Sequence, residues 1–242
     1  MKNSMLLFVV DGDGTLNELI NGIMKFDNKP KISFIPLGTV NDFARTIKMS
    51  TKRTFLSKNI NESEIVESDI GSFNNIYFNY VAAFGAFTPV AYVTGQKLKK
   101  KFGKFAYFLV AFKYLNKIKT YDLEVETDDD KFKGEFIYGS VSNSKSIGGF
   151  EWFKRKGVKI DDGKFEVLLI RKPKKFIDWI NTAFLLLVKK HKKKYFYYTQ
   201  TENIKFKSKQ GLNWTLDGEY GGRNKDVKIN TNNKAINFVI PQ

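Results

Sequence analysis

Cysteine is absent from this chain of 242 residues. That excludes disulfides, thiolate nucleophiles and cysteine-bound metal, and a reducing, cytoplasmic setting is expected. Histidine is represented by His191 alone, inside a lysine run, and no role is assigned to it. Long apolar runs are also lacking. Within the longest stretch without a charge, Ser72 to Gln96 alone has 25 residues, enough to span a bilayer. Asn74, Asn75, Asn79, Gly85, Pro89 and Gly95 interrupt it, so it reads as strand, turn and strand in a buried sheet. Trp179 to Val188 is too short to span. Met1 to Val10 shows no small-residue cleavage site before Asp11, and no secretory leader is expected. Acidic residues are outnumbered 25 to 41, leaving a net charge of +16. A basic excess favours anionic partners such as nucleotide, anionic lipid or nucleic acid. A lysine-rich composition with solvated side chains accounts for the total equally well. It accounts less well for the dense blocks Lys97–Lys104 and Lys189–Lys194, each beside aromatic residues.

With 42% hydrophobic residues, the chain can build one large domain or two small ones. Met5–Val10 reads as a buried strand, Thr15–Phe26 as a helix, Ile32–Ile35 as a second strand and Val40–Ile47 as a second helix. This β-α-β-α order belongs to a parallel sheet with crossover helices. Two strands do not make a stable sheet domain. A missing leading segment, the far end of the chain or a partner is expected to complete it. From about Ser50 the pattern becomes short alternating or aromatic-rich segments: Ile65–Ile70, Asn75–Ala83, Tyr121–Thr127, Lys133–Ser142, Lys164–Ile170, Tyr195–Thr199, Asn203–Lys207, Gly211–Leu216 and Ala235–Ile240. These predict an antiparallel sandwich or barrel, interrupted by helices at Gln96–Lys117 and Phe176–Lys190. The expected fold is α/β plus β. A partial nucleotide-binding domain occupies residues 1–50, a mostly antiparallel β-sandwich domain occupies 51–242, and the C-terminal end is free to return to the first domain. Asp128–Asp130 reads as a hairpin turn.

The chemistry gathers in two loops. Asp11-Gly12-Asp13-Gly14-Thr15 joins the first strand to the first helix, and Pro36-Leu37-Gly38-Thr39-Val40-Asn41-Asp42 joins the second pair. Glycine allows a backbone to approach a phosphate closely, a helix N-terminus offers free N–H groups to an anion, and an adjacent aspartate can hold or orient a metal ion. Two such turns so close together point to nucleotide phosphate handling and phosphoryl transfer. A capped helix start is the plain alternative for Thr39 and Asn41, and a carboxylate stabilising the helix N-terminus is that for Glu18.

Asp11–Glu18 with Pro36–Arg45 strongly resembles the diacylglycerol-kinase catalytic domain of bacterial lipid kinases. The resemblance continues in order along the chain: Glu67–Gly71, Tyr77–Gly85, Gly103–Tyr107, Asn143 with Gly148-Gly149, Ile160–Val167 and Asp217-Gly218-Glu219. It implies a two-domain kinase that transfers the γ-phosphate of ATP to a lipid hydroxyl, typically of diacylglycerol, in a cleft between the domains. It further implies that Gly12, Asp13, Gly14, Thr15, Asn17 and Glu18 form the nucleotide loop. Asp13 would contact the magnesium–phosphate assembly, and Gly38, Thr39, Asn41 and Asp42 would face the same phosphates. Glu219 matches the general base, Asp217 and Asp13 are implied with it as catalytic residues, and Asp162, flanked by the carbonyls of Lys159 and Lys164, matches a structural Mg2+ site. Asp11 stands where the family usually has glycine, and the family's usual leading segment has no counterpart here. A truncated, non-catalytic lipid- or nucleotide-binding relic is therefore the alternative.

A lipid kinase must reach a bilayer, so peripheral attachment at the inner face of the cell membrane is expected. Two clusters are candidates: Lys97–Lys104 with Phe102 and Phe105, and Lys189–Lys194 with Tyr195, Phe196 and Tyr197. No nucleic-acid recognition motif accompanies the charge, so nucleic acid is not an expected partner. A homodimer is left open.

Overall fold

The computed structural model describes residues 5–38, 41–49, 63–86, 118–144 and 159–241. The chain opens with strand β1 (Leu6–Asp11), helix α1 (Asp13–Ile23), strand β2 (Lys31–Pro36) and the short helix α2 (Asp42–Thr46). Strands β1 and β2 pair in parallel from Leu6 opposite Lys31 to Asp11 opposite Pro36. Helix α1 buries Leu16, Ile20 and Ile23, the four-then-three spacing of a helix with one apolar stripe. Strands β3 (Ser63–Phe73), β4 (Ile76–Phe78), β5 (Val81–Gly85), β6 (Tyr121–Thr127), β7 (Lys131–Ser142) and β8 (Phe165–Arg171) follow, then helix α3 (Phe176–Leu187) and strands β9 (Phe196–Thr201), β10 (Asn203–Leu216) and β11 (Glu219–Pro241).

All eleven strands among the described residues belong to one sheet, and β11 is its joint. Its first half runs antiparallel to β10, its second half runs antiparallel to β3, and Phe238 lies parallel to Ile32 of β2. The far end of the chain thus sits beside the first two strands, one of the three ways in which the small N-terminal sheet could be extended. The sequence pattern located only Ala235–Ile240 of this strand. Residues 221–234 are mostly glycine, asparagine and lysine, poor strand formers by themselves. They are held by the β10 ladder as far as Asn230 and by the β3 ladder from Ile229 to Asn232, with Val227 and Ile229 turned into the core.

Strand β10 explains another difference. Two short strands were expected at 203–207 and 211–216, whereas one continuous strand is present. Its register shifts between Lys207 and Leu212, around Gly211 at φ 72°. The first part pairs with β6, the last with β5. Because β7 likewise pairs with both β5 and β6, these four strands close on themselves. Inside the closure lies an aromatic core in which fully buried Trp214 packs edgewise on Phe73, Phe84 and Phe206 at centroid distances of 5.0, 4.8 and 5.3 Å. The opposite core is shared by α1, α2, α3, β1, β2 and the outer face of the β8–β9 pair, with Phe43 of α2 against Phe238 of β11 at 5.0 Å.

The expected single strand at Asn75–Ala83 is broken at Asn79–Tyr80, where the backbone turns its N–H groups inward to a carboxylate. Helix α3 stops short of Lys190, because Lys189 adopts φ 54° and ends the helical path. The helices expected at Gln96–Lys117 and Gly103–Tyr107, the Gly148-Gly149 pair and the Lys97–Lys104 cluster lie outside the described residues.

Candidate active site

The two glycine loops lie back to back. A Cβ built on Gly38 would stand 2.8 Å from Gly12 Cα and 2.6 Å from Asn41 Oδ1, and one built on Gly12 would stand 3.4 Å from Gly38 Cα. Only glycine permits so close a backbone approach. Gly38→Ala is therefore expected to push the loops apart and lower the unfolding free energy by about 1–3 kcal/mol, with Gly12→Ala milder. Urea titrations of both variants check the order, which reverses if the packing described is wrong. Asn41 takes the left-handed conformation, φ 51°, before α2. Its amide donates back to the Gly38 carbonyl at 2.6 Å instead of capping the helix, and its Oδ1 is buried without a partner. Thr39 lies outside the described residues.

Helix α1 begins at Asp13 with no side chain capping its N-terminus. Thr15 donates its hydroxyl to Asp11 at 2.7 Å, and this bond holds the exposed Asp11 carboxyl below its ordinary range. Asp13 turns inward. Its Oδ2 accepts the N–H of fully buried Asp42 at 3.1 Å, whereas Oδ1 is buried with no partner. Burial, aided by the nearby Asp217 and Asp42 charges and opposed by that N–H, raises its pKa from 3.8 to about 6. Between pH 3.8 and about 6 the unfolded chain has lost this proton and the folded chain has kept it, so stability falls as pH rises through that window. Asp13→Asn removes this slope, and the unliganded variant is expected to be more stable than the parent at pH 7 but not at pH 3.5. Urea midpoints at the two pH values test it; equal differences at both would refute the assignment.

On α1, Asn17 and Asn21 sit one turn apart and tie the helix to β4 and to the turn between β10 and β11. Asn17 donates to Asp217 Oδ2 at 2.7 Å and to the Tyr77 carbonyl at 3.1 Å. Asn21 donates to the same carbonyl at 2.9 Å and accepts the Tyr77 N–H at 2.8 Å. Glu18 is exposed on the helix surface. The one-turn spacing of Asn17 and Asn21 is readable in the sequence and would have found Asn21.

Asp217 and Gly218, at φ 51° and 96°, form the two-residue hairpin turn between β10 and β11, for which Asp-Gly is the favoured pair. The turn separates its two carboxylates. Asp217 is buried, and its oxygens receive the N–H groups of Asn79 at 2.6 Å, Tyr80 at 3.0 Å and Val81 at 3.0 Å besides the Asn17 amide. Burial pushes its pKa up against those four donors. Glu219, two residues on, is exposed, and its Oε1 comes within 3.8 Å of the position a Cβ would take on Gly14. Residues some 200 positions apart thus meet at the first turn of α1.

Asp162 is exposed and accepts the N–H of Lys164 at 3.1 Å; Lys159 and Lys164 are exposed beside it. Behind this turn the buried Asp69 accepts the N–H groups of Gly163 at 2.7 Å and Lys234 at 2.6 Å. Buried Asn143 donates to the carbonyls of Asp69 and Ile160. Among the described residues no group of three carboxylate or imidazole side chains forms a ready-made cation site. Asn79 had no local signal: its side-chain amide is buried with neither polar atom partnered, and its importance lies in a backbone N–H.

Residues 1–73 match the family model described as the diacylglycerol kinase catalytic domain. A diacylglycerol kinase of Staphylococcus saprophyticus is 35% identical over 226 residues, which cover 92% of this chain and 72% of that protein. The chain belongs to the diacylglycerol kinase family. Another member, from Staphylococcus epidermidis, is 36% identical over 90% of this chain and 69% of its own length. A crystal structure from Bacillus anthracis str. Sterne shares the fold, with TM-score 0.79 at 21% identity over 98% of this chain and 78% of that one. Family membership makes the chain a relative of lipid kinases and agrees with the α/β plus β architecture. Among the described residues no helix is long and apolar enough to cross a membrane.

Proposed function

We propose that this chain transfers the γ-phosphate of ATP to the hydroxyl of a membrane lipid, with diacylglycerol as acceptor and phosphatidic acid as product. The observation that carries the reading is the meeting of Glu219 with the uncapped first turn of α1, which also carries the half-buried carboxyl of Asp13. The nucleotide phosphates would lie against Gly12–Thr15, where the uncapped start of α1 suits an anion, with Gly38, Thr39, Asn41 and Asp42 facing them. Residues 1–50 would serve chiefly the nucleotide and residues 51–242 the acceptor.

Magnesium fits Asp13, whose unpartnered, buried Oδ1 is the kind of hard oxygen ligand this ion takes alongside substrate phosphates. The bound ion would neutralise charge on the phosphates. Asp162 with the carbonyls of Lys159 and Lys164 is proposed as a second, structural magnesium site. Glu219 would accept the proton of the lipid hydroxyl as the hydroxyl oxygen attacks the γ-phosphorus and the bond from that phosphorus to the bridging oxygen breaks, so that ADP leaves. Phosphoryl transfer otherwise depends on alignment, which is the part proposed for Asp217. With both oxygens engaged by N–H donors, it positions the turn that carries Glu219 and does not take part in proton transfer.

The deciding experiment is transfer of label from γ-labelled ATP to diacylglycerol in mixed micelles, with and without Mg2+. Product that depends on lipid, ATP and magnesium is expected. A folded protein that transfers nothing to diacylglycerol or to any other lipid alcohol would favour a non-catalytic binding role.

A further inference from the structure

Helix α3 presents a surface that the phosphate site does not use. Phe176, Ile177, Ile180, Phe184, Leu187 and Val188 are exposed, with Phe176 at 66% and Phe184 at 59%. They are six of the fourteen large apolar side chains exposed among the described residues, so the exposure is concentrated and not scattered. At about 3.6 residues per turn they fall within an arc of about 120°. Thr182, Leu185 and Leu186 occupy the opposite arc and are buried. Such a contiguous apolar face marks an interaction site.

The charge around the stripe has one sign. Lys174 and Lys175 precede it, and Lys190, Lys192 and Lys193 follow it, all exposed. Asp178 is the only carboxylate between Lys172 and Lys194. It is already engaged, accepting from Lys194 Nζ at 2.9 Å and from the Lys175 N–H at 3.1 Å. The aromatics expected to accompany the 189–194 lysines do not serve: Tyr195 and Phe196 are 7% and 2% exposed and belong to the core, and half-buried Tyr197 packs on Phe132 and donates its hydroxyl to Asp130. The stripe on α3 takes their place.

We propose that this face of α3 docks on an anionic phospholipid bilayer. Its apolar residues would enter the headgroup–acyl boundary, and the lysines at both ends would meet lipid phosphates, the arrangement of an interfacial amphipathic helix. A second copy of the chain suits the face poorly, because a two-fold pairing of α3 with α3 brings lysine clusters of like charge together. The docking face rests on the proposed peripheral membrane association but not on the acid–base role of Glu219.

The chain has no cysteine, so Phe184→Cys accepts one environment-sensitive fluorophore at a unique position. With vesicles of equal phosphatidylglycerol and phosphatidylcholine, its emission should rise and shift to the blue, and high salt should reverse the change. Vesicles of phosphatidylcholine alone should have little effect, and a label at Ile65→Cys, exposed on β3, should report nothing. In sedimentation with the anionic vesicles, the triple variant Phe176→Ser, Ile180→Ser, Phe184→Ser should bind about tenfold more weakly, with circular dichroism and thermal midpoint retained. Unaltered sedimentation of the triple variant, alongside firm binding by the parent, would overturn the docking face and leave membrane association standing. A parent that ignores anionic vesicles would end both. A fluorescence change that follows protein concentration and a doubling of mass would assign the face to a second copy and overturn the proposal.

Discussion

Glu219→Gln is expected to lower the rate of phosphate transfer to diacylglycerol by about 10²–10⁴-fold, the range associated with loss of a general base. ATP binding and stability should change little. The side chain is exposed at the end of a hairpin turn, and surface substitutions away from buried networks usually stay within about 0.5 kcal/mol. Glutamine keeps the shape and the acceptor oxygen but cannot take a proton. The loss should therefore fall on kcat, with KM for ATP held. Steady-state kinetics at saturating ATP, with a urea titration of the same sample, separates the two quantities. Retention of more than a tenth of the parent rate would remove Glu219 from the reaction and with it the reading of the Asp-Gly-Glu turn.

Asp217→Ala should act through the fold. Three backbone N–H groups and the Asn17 amide converge on this buried carboxylate. Alanine would leave them without an acceptor where water has little access. Leaving a buried donor unpaired costs about 1–3 kcal/mol, and removal of one side of a buried charged network costs about 3–5 kcal/mol. Asp217 also holds φ 51°, a conformation that aspartate tolerates better than alanine. A loss of about 3–5 kcal/mol of unfolding free energy is expected, with Asp217→Asn intermediate because its amide oxygen still accepts. Transfer should fall as well, since the same turn carries Glu219. The opposite pattern, full stability with transfer abolished, would show that Asp217 acts on the substrate directly and not as a support.

The two carboxylates of one short turn show how far local reading reaches. Asp217 and Glu219 are both visible as a pair, and the Asp-Gly turn between strands is legible from its residue types alone. Their opposite environments are not. One is buried by α1 and by the backbone of residues 79–81, the other is exposed beside the first turn of α1, and only long-range packing decides which is which. Asp13 is similar. Its place at a helix start is local, whereas its pKa of about 6 comes chiefly from burial, with smaller contributions from the Asp217 and Asp42 charges, and all of these depend on tertiary packing. Strand β11 was underestimated for a related reason. Its polar middle has little strand propensity, and pairing with β10 and β3 overrides that preference.

The amino-acid order by itself determined the two glycine loops, the helix periodicities, the alternating strands and the Asp-Gly hairpin, because each depends on neighbours within a few residues. Tertiary structure decided what meets what: Gly38 against Gly12, Asn17 against Asp217, the last strand beside the second, Tyr195 and Phe196 inside, and the apolar stripe of α3 outside. Those outcomes come from hydrogen bonds and burial between segments as many as 200 residues apart, and a local pattern carries no information about a distant partner's position.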